Sequence, residues 1–260
     1  MADNRPVAVL DSGVGGVSVL GELIARLPEE DFLYFGDSAN APYGEKTAEE
    51  VRELTLDNAG RLFDMGAKAL VVACNTATGA AINALRDRFS DRPVIGIEPA
   101  LKPAALWRQG GTVLVMATPL TLRQEKFEQL LARYDRRARI LTLPCHGLVE
   151  LIEKGITDGP EMDALLKGLF APLQGESVDA AVLGCTHYPL AKNAIRRALG
   201  DAVALFDGGA GTARQTARRL AEADLLAERR RPGRVLWHSS RDEAAFAALG
   251  RRLLTGGGAP

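Results

Sequence analysis

Short apolar runs rich in β-branched residues alternate along the chain with longer segments in which apolar residues recur at every third or fourth position. The short runs are typical of buried strands, and the longer segments are typical of helices with one apolar face. Strands are therefore predicted at Val7–Leu10, Phe32–Phe35, Leu70–Ala73, Val94–Ile97, Thr112–Met116, Ile140–Leu143, Ala180–Leu183 and Ala202–Phe206. The helices predicted between them span Thr47–Met65, Ala77–Phe89, Thr121–Tyr134, Gly159–Gln174 and Ala191–Leu199.

These elements fall into two similar sets. The strand starts Val7 and Thr112 lie 105 positions apart, and Phe32 and Ile140 lie 108 positions apart. Alternating strands and helices are typical of parallel sheets that carry helices on both faces. We therefore predict an α/β protein with two similar parallel-sheet lobes, related by a pseudo-two-fold axis, and an active site in the cleft between them. Any two α/β stretches would align this loosely, so the evidence that the two halves are equivalent must come from the motifs at matching strand ends.

Two segments are predicted to cross between the lobes, the proline-containing Glu98–Pro103 and the segment Asp207–Gly211, which reads DGGAG. A helix at Thr212–Ala227, a strand at Val235–His238 and a helix at Glu243–Leu254 are then predicted to complete the first lobe. The predicted lobes are residues 1–98 with 208–260, and residues 99–207.

Composition narrows the class of protein. The chain has 260 residues, of which 47% are hydrophobic and 25% charged, as in ordinary globular proteins. The formal net charge of −1 argues against a surface that coats nucleic acid. No apolar run approaches the roughly 20 residues of a membrane span, and the N-terminus lacks the basic and apolar regions of a signal peptide. We therefore expect a cytoplasmic protein that needs neither nucleic acid nor a membrane.

Two of the three cysteines follow equivalent predicted strands. Cys74 follows the run ALVV in the motif ACNTATG, and Cys185 follows the run AAVL in the motif GCTHYP. Ligands of open parallel sheets bind at these strand ends, and a thiol at a helix N-terminus is more readily ionised. A lone cysteine is more often a small buried hydrophobe, but two at equivalent positions favour chemistry. Cys145 has no counterpart in the first half and is predicted to be structural, and the spacing of the cysteines predicts no metal site.

Two glycine-containing motifs follow other predicted strands. The first two residues of DSGVGG are Asp11 and Ser12, and the last two of YFGDSANAPYG are Tyr43 and Gly44. Glycines let the backbone approach a ligand closely, and amides at a helix start can hold an anion. DSGVGG on its own is equally consistent with a strand-to-helix turn in which Asp11 or Ser12 caps the helix, and YFGDSANAPYG on its own favours an ordinary turn.

A pair of thiols on opposite walls of a cleft predicts inversion of a stereocentre without a cofactor. One thiolate would remove a proton from a carbon atom, and the opposite thiol would return a proton to the other face. With each sulfur roughly 3–3.5 Å from that carbon, the sulfurs would lie too far apart for a disulfide bond. Asp11 and His187 are candidates for setting which thiol begins ionised.

The motifs DSGVGG, YFGDSANAPYG, ACNTATG and LGCTHYPL, in this order and spacing, resemble those of bacterial glutamate racemase, a cofactor-independent family. The resemblance runs from about Val7 to Asp207 and implies interconversion of L- and D-glutamate, with D-glutamate supplied for peptidoglycan. It implies that Cys74 and Cys185 are the two acid/base residues.

The resemblance also implies roles for other residues. Asp11 would assist Cys74, and His187 would assist Cys185. A second acidic residue in the segment LVELIEKG is placed at Glu153, with Glu150 as the alternative. The implied substrate contacts are Asp11, Ser12, Pro42, Tyr43, Gly44, Asn75, Thr76, Thr118, Thr121, Thr186 and His187. The implied partner is glutamate itself, and a homodimer is common in the family.

The chain departs from the family pattern in two places. The family's T-x-x-T-x-x-S-x-x-Y reads Thr118, Thr121, Gln124 and Phe127 here, so the roles of its Ser and Tyr are not carried over. Family members controlled by a cell-wall precursor carry an N-terminal extension. Only ten residues precede Asp11, so we do not expect that control.

Other functions fit part of the pattern. A non-catalytic module could use the glycine-containing turns to bind an amino acid or a nucleotide, although binding alone gives no reason for paired thiols. An aspartate racemase or a maleate isomerase-like enzyme would use two cysteines in the same way. A pyridoxal phosphate racemase would need a Schiff-base lysine, and the nearest candidate, Lys102, is predicted to lie at the surface.

Overall fold

The computed structural model describes residues 3–229 and 231–256, and it contains two parallel β-sheets. The first sheet is built on β1 (Val7–Asp11), β2 (Phe32–Gly36), β3 (Ala69–Val72) and β4 (Val94–Gly96). The second sheet is built on β5 (Thr112–Ala117), β6 (Arg139–Pro144), β7 (Ala180–Leu183) and β8 (Ala204–Asp207). A further strand, β9 (Val235–Ser239), pairs in parallel with β2 at the edge of the first sheet.

The two sheets share one strand order. In the first sheet β1 pairs with β2 and β3, and β3 pairs with β4. In the second sheet β5 pairs with β6 and β7, and β7 pairs with β8. This repeated order confirms the predicted fold class of two similar parallel-sheet α/β lobes. It makes β3 and β7 topological equivalents, as the cysteine motifs require.

Helices cover both sheets. They are α1 (Val17–Arg26), α2 (Ala48–Asp64), α3 (Asn75–Arg88), α4 (Leu101–Trp107), α5 (Pro119–Leu122), α6 (Glu125–Ala132), α7 (Leu148–Glu153), α8 (Pro160–Phe170), α9 (Lys192–Leu199), α10 (Gly209–Glu222) and α11 (Glu243–Leu254). Local sequence explains their starts: Thr47 and Glu50 form a capping box at α2, and Asp242 caps α11. Among the described residues, no helix combines the length and the apolar composition that crossing a bilayer demands.

The central strands of each sheet are buried on both faces. Along β1, Val7 and Val9 join one hydrophobic cluster, while Ala8 and Leu10 join the cluster on the opposite face. The same alternation divides β5 between two clusters of the second lobe. Successive side chains of a strand point to opposite faces, so packing from both sides fixes these central strands. The residues at the strand ends are thereby held on a rigid frame.

Two of the predicted helices have wrong bounds. The predicted helix Thr121–Tyr134 is broken into α5 and α6, because the backbone of Gln124 is extended, with ψ 136°. The predicted helix Gly159–Gln174 ends at Phe170, and a 3₁₀ turn containing Pro172 follows. By contrast, the predicted crossing Asp207–Gly211 contains the end of β8 in the second sheet and the first turn of α10, and α10 packs into the core of the first lobe.

The lobe boundaries stay a prediction, and residues 1, 2, 230 and 257–260 of the predicted first lobe lie outside the described residues.

Candidate active site

Cys74 lies at the carboxyl end of β3 and begins α3. It is the N-cap residue of that helix, and its sulfur accepts a hydrogen bond from the Ala77 amide at 3.5 Å. The Cys74 sulfur also lies 3.7 Å from the hydroxyl oxygen of Ser12, which follows β1. Because β1 and β3 are neighbours in the sheet, their ends meet. The first lobe therefore presents a buried thiol, 5% exposed, beside the DSGVGG motif.

Cys185 occupies the matching place in the second lobe, after β7. Its sulfur lies 3.6 Å from Nδ1 of His187. The other ring nitrogen, Nε2, lies 2.6 Å from Oε1 of Glu153, at the end of α7. Glu153 Oε1 also accepts a hydrogen bond from the Val14 amide of the first lobe at 2.7 Å. Sulfur, imidazole and carboxylate thus form a chain that ends against the opposite lobe.

A second hydrogen bond joins the two walls. The Thr186 hydroxyl, next to Cys185, donates to Oδ1 of Asp11 at 3.1 Å, although 175 residues separate them in the sequence. The Thr186 carbonyl also accepts from the Ser18 hydroxyl at 2.8 Å. Each thiol packs into the core of its own lobe, yet the residues beside each thiol bond across the cleft. The structure therefore brings Cys74, Asp11 and Ser12 together with Cys185, Thr186, His187 and Glu153.

The glycines of DSGVGG make room for these side chains. A Cβ on Gly15 would lie 2.2 Å from Nδ1 of His187. A Cβ on Gly13 would lie 1.9 Å from Oε1 of Glu153. The motif therefore serves the imidazole and the carboxylate of the other lobe, in addition to any close approach to a ligand.

The charges of the two walls differ. Burial, and then the negative charge of Asp11, raise the pKa of Cys74 to about 12. Negative charge at Cys185 would add to that rise. Burial also raises the pKa of Asp11, while the charge of His187 opposes that rise. At neutral pH Cys74 is therefore a protonated thiol.

His187 and Glu153 form an ion pair. Burial opposes protonation of His187, but its hydrogen bonds with Cys185 and Glu153 raise its pKa well above the usual value. Burial likewise opposes ionisation of Glu153, but the hydrogen bond and the charge of His187 lower its pKa. The ring is therefore an imidazolium, held between a carboxylate and the Cys185 sulfur.

Hydroxyl groups from both lobes meet beside Cys74. Oγ1 of Thr76 lies 2.9 Å from Oγ1 of Thr118 and 2.9 Å from Oγ1 of Thr121. Asn75 is buried, and its Oδ1 has no hydrogen-bond partner among the described residues. Hydroxyls that can rotate and an unpartnered amide oxygen suit a ligand that carries both carboxylate and ammonium groups.

The YFGDSANAPYG motif divides between two places. The Tyr43 hydroxyl donates to Asp37 at 2.6 Å. Gly44 packs closely on Thr118, because a Cβ added to Gly44 would lie 2.6 Å from the Thr118 Cβ. Pro42 instead lines a cavity of about 430 Å³ with Glu150 and Glu153. Glu153, rather than Glu150, is the carboxylate bonded to His187.

Sequence reasoning missed contacts that the structure shows. Gln124 donates from Nε2 to the Thr76 carbonyl at 2.9 Å, and Tyr34 donates to the Gly13 carbonyl at 2.9 Å. Gln124 stood out only as a departure from the family pattern, and Tyr34 is one more apolar residue of a strand. The narrow space lined by Asn75, Cys185 and Thr186 has no room for a water molecule. Within residues 3–229 and 231–256, no group of three His, Cys, Asp or Glu side chains is placed to hold a metal ion.

Comparison with known proteins agrees with the geometry. The profile of the Asp/Glu/Hydantoin racemase family matches residues 16–216. The glutamate racemase of Clostridium acetobutylicum is 47% identical over 251 residues, which cover 96% of this chain and 98% of that protein.

Solved structures show the same likeness. Glutamate racemase from Francisella tularensis, crystallised with D-glutamate, is 29% identical and superposes with a TM-score of 0.83, covering 97% of this chain and 94% of that one. The Escherichia coli glutamate racemase, crystallised with L-glutamate and the activator UDP-MurNAc-Ala, is 32% identical with a TM-score of 0.83, covering 96% and 95%. The chain therefore belongs to the Asp/Glu/Hydantoin racemase family and, within it, to the glutamate racemases, which are isomerases.

Proposed function

We propose that the protein interconverts L- and D-glutamate in the cytoplasm by a two-thiol mechanism and so supplies D-glutamate for peptidoglycan. The observation that carries the mechanism is the placement of one thiol per lobe at topologically equivalent strand ends, with the Thr186–Asp11 hydrogen bond joining the two walls. The named relatives, two of them crystallised with a glutamate enantiomer, support the choice of substrate.

The protons balance in this scheme. Cys185 begins as a thiolate beside the His187 imidazolium, and Cys74 begins as a thiol. The thiolate takes the Cα proton of one enantiomer, leaving the electron pair on the substrate. The Cys74 thiol then donates its proton to the opposite face, and that electron pair forms the new C–H bond. The protonation states of the sulfurs are now exchanged, which is the state that accepts the other enantiomer.

The weak acidity of the Cα–H bond is the main energetic obstacle, because an ordinary thiol has a pKa of only about 8.5. The developing negative charge on the substrate must be stabilised by groups that are already in place. The hydroxyls of Thr76, Thr118 and Thr121 and the amides at the start of α3 are in the right region for a carboxylate. The unpartnered Oδ1 of Asn75 suits the ammonium group.

A substrate panel tests the activity itself. The unaltered protein should racemise glutamate, with aspartate and maleate as the competing substrates. Optical rotation reports racemisation of the two amino acids, and ultraviolet absorbance reports isomerisation of maleate to fumarate, because both of those compounds are achiral. Preference for aspartate or maleate would assign the chain to the related enzymes that reuse two cysteines. Tight nucleotide binding without any turnover would instead favour a binding module.

Isotope exchange tests the mechanism. Cys74→Ala and Cys185→Ala should each abolish racemisation, because one face of the substrate loses its acid or base. Each single variant retains one thiol, so in heavy water it should exchange the Cα proton of one enantiomer only, and the two variants should choose opposite enantiomers. A double alanine variant that still racemises glutamate would exclude the two-thiol mechanism.

A further inference from the structure

Gln124 reaches from the second lobe to the first at the edge of the proposed site. Its Nε2 donates to the backbone carbonyl of Thr76 at 2.9 Å, although 48 residues separate the two in the chain. Gln124 is 8% exposed, so the bond is shielded from water. A buried amide is costly to leave without a partner, and the contact therefore favours one arrangement of the lobes at this point.

The cross-lobe bond replaces a local one. Gln124 is the N-cap residue of α6, a position at which a short polar side chain normally accepts a hydrogen bond from the first helical turn. The Gln124 side chain makes no such bond to α6. Its length instead lets the amide reach α3, which the serine of the family pattern is too short to do.

Gly79 supplies the space for the Gln124 amide. It lies inside α3, where glycine is less favourable than alanine. A Cβ on Gly79 would lie 1.7 Å from Oε1 and 2.4 Å from Cδ of Gln124. Any side chain at Gly79 would therefore collide with the amide, and the two residues form a matched pair across the lobes.

The bond fixes a segment that carries three proposed site residues. Cys74 caps α3, and Asn75 and Thr76 form its first turn. The second lobe holds Thr76 at two points, because Thr118 and Thr121 bond its hydroxyl and Gln124 bonds its carbonyl. Side chains of the segment that contains α5 and Gln124 thus set where the Cys74 end of α3 lies relative to the second lobe.

We propose that Gln124 is a positioning residue: seated on Gly79, it holds the start of α3 against the second lobe and thereby sets the separation of the Cys74 and Cys185 thiols. This inference rests on the proposed function. Inversion requires both sulfurs to reach one carbon atom, and a misplacement of roughly 1 Å can cost about 10²-fold in rate. Gln124 acts through Thr76 and contacts no reacting atom in the scheme.

Three variants test the pair. Gln124→Ala should lower kcat about tenfold, and Gly79→Ala should lower it by a similar factor, because the new methyl group displaces the flexible Gln124 amide from the Thr76 carbonyl. The double variant should be no slower than Gln124→Ala, since no amide remains to collide with the methyl group. Gly60→Ala is the matched control: Gly60 also lies inside a helix, but a Cβ there meets nothing within 4 Å, so kcat should not change.

The decisive readout is the fate of the substrate proton in heavy water. When the thiols are wrongly spaced, a carbanion is more often reprotonated on its original face, so Gln124→Ala should raise the ratio of exchange with retention to inversion several-fold. A loss of folded protein would lower both rates and leave this ratio unchanged.

The outcomes separate the two claims. An unchanged kcat and exchange ratio in Gln124→Ala would overturn the inference alone. So would a double variant whose loss equals the product of the two single losses. Absence of glutamate racemisation by the unaltered protein would overturn the proposed function and this inference with it.

Discussion

The two walls of the site share their topology but not their chemistry. Cys74 follows β3 and caps a helix of 14 residues, and the residue pair beside its sulfur is Asp11 and Ser12. Cys185 follows the equivalent strand β7, but a short 3₁₀ turn comes next, and its sulfur faces His187. The repeated strand order therefore delivers a sulfur to each wall, while the local loops decide its proton partner.

In the proposed mechanism, this difference decides which wall acts first as the acid. Burial, and then Asp11, raise the pKa of Cys74 to about 12, so that wall begins as the acid. His187 stays protonated despite its burial, because Cys185 and Glu153 raise its pKa, and a cationic ring can donate a strong hydrogen bond to sulfur. Two identical walls would have no preference for which thiol is protonated first. The mechanism nevertheless requires one wall to act as the acid whenever the other acts as the base.

Removal of the charged group beside either thiol should have the largest effect. His187→Asn removes the cation beside Cys185, and Asp11→Asn removes the carboxylate near Cys74; either should lower kcat/KM about 10²–10⁴-fold. Because the enantiomers of glutamate have equal free energies in water, kcat/KM must fall equally in both directions. Only kcat and KM taken separately can differ, and we expect opposite skews in the two variants. Circular dichroism progress curves started from each enantiomer measure both.

His146→Asn is the matched control, since His146 is an exposed imidazole that pairs with Glu45 at 3.2 Å, and its loss should leave both directions unchanged. A skew of the same sign in His187→Asn and Asp11→Asn would mean that the two walls do not have separate partners.

Loss of Glu153 should have a smaller effect. Glu153→Gln keeps an oxygen for the Val14 amide but removes the charge that helps to raise the pKa of His187. The His187 pKa should therefore fall, the imidazolium should deprotonate at a lower pH, and the alkaline limb of the kcat/KM profile should move to lower pH. We expect about a 10- to 100-fold loss near neutral pH.

Glu150→Gln is the control for that change, because Glu150 lines the neighbouring cavity with Glu153. If Glu150→Gln moved the alkaline limb and Glu153→Gln did not, the assignment of the acidic residue would be reversed.

The positions of the strands could be predicted from the sequence because periodicity records burial. Buried β-branched runs and amphipathic spacing located the strands to within one or two residues, and Ala180–Leu183 matches its predicted bounds. The break at Gln124 could not be predicted in this way. The apolar spacing continues through Thr121–Tyr134, and Gln124, at the interruption, bonds to Thr76 in the other lobe, which no local pattern reveals.

The site could be predicted only in part, for a related reason. The thiols were visible because strand ends and polar followers are local features. The bonds that assemble the walls join residues 139 and 175 positions apart, Val14 with Glu153 and Asp11 with Thr186. No local pattern specifies such pairs. The sequence leaves Gly13 and Gly15 open between a ligand-binding turn and an ordinary turn, whereas the structure places them against Glu153 and His187.

The bond between the walls can be weakened without touching either thiol. Thr186→Val is close in shape but cannot donate to Asp11, and leaving that buried carboxylate without this donor costs about 1–3 kcal/mol. We expect roughly a tenfold loss of kcat/KM, measured from each enantiomer. Thr186→Ser retains the hydroxyl and should stay within about threefold of the unaltered protein. Equal losses in the two variants would show that the Thr186 methyl group, rather than its hydroxyl, is what the site requires.

Cys145 offers the smallest expected effect and tests whether a strand end alone makes a sulfur reactive. Cys145 follows β6, just as Asp37 follows the equivalent strand β2, and burial raises its pKa to about 12. Its sulfur lies 3.5 Å from the Leu143 carbonyl, inside the core of one lobe rather than beside a group of the other lobe. Cys145→Ala should therefore keep kcat within about twofold and lower the free energy of unfolding by about 1 kcal/mol through lost packing, as urea unfolding would measure. A loss of racemisation as complete as in Cys74→Ala would contradict this prediction. A sulfur could then be catalytic without neighbours that bond across the lobes, as the neighbours of Cys74 and Cys185 do.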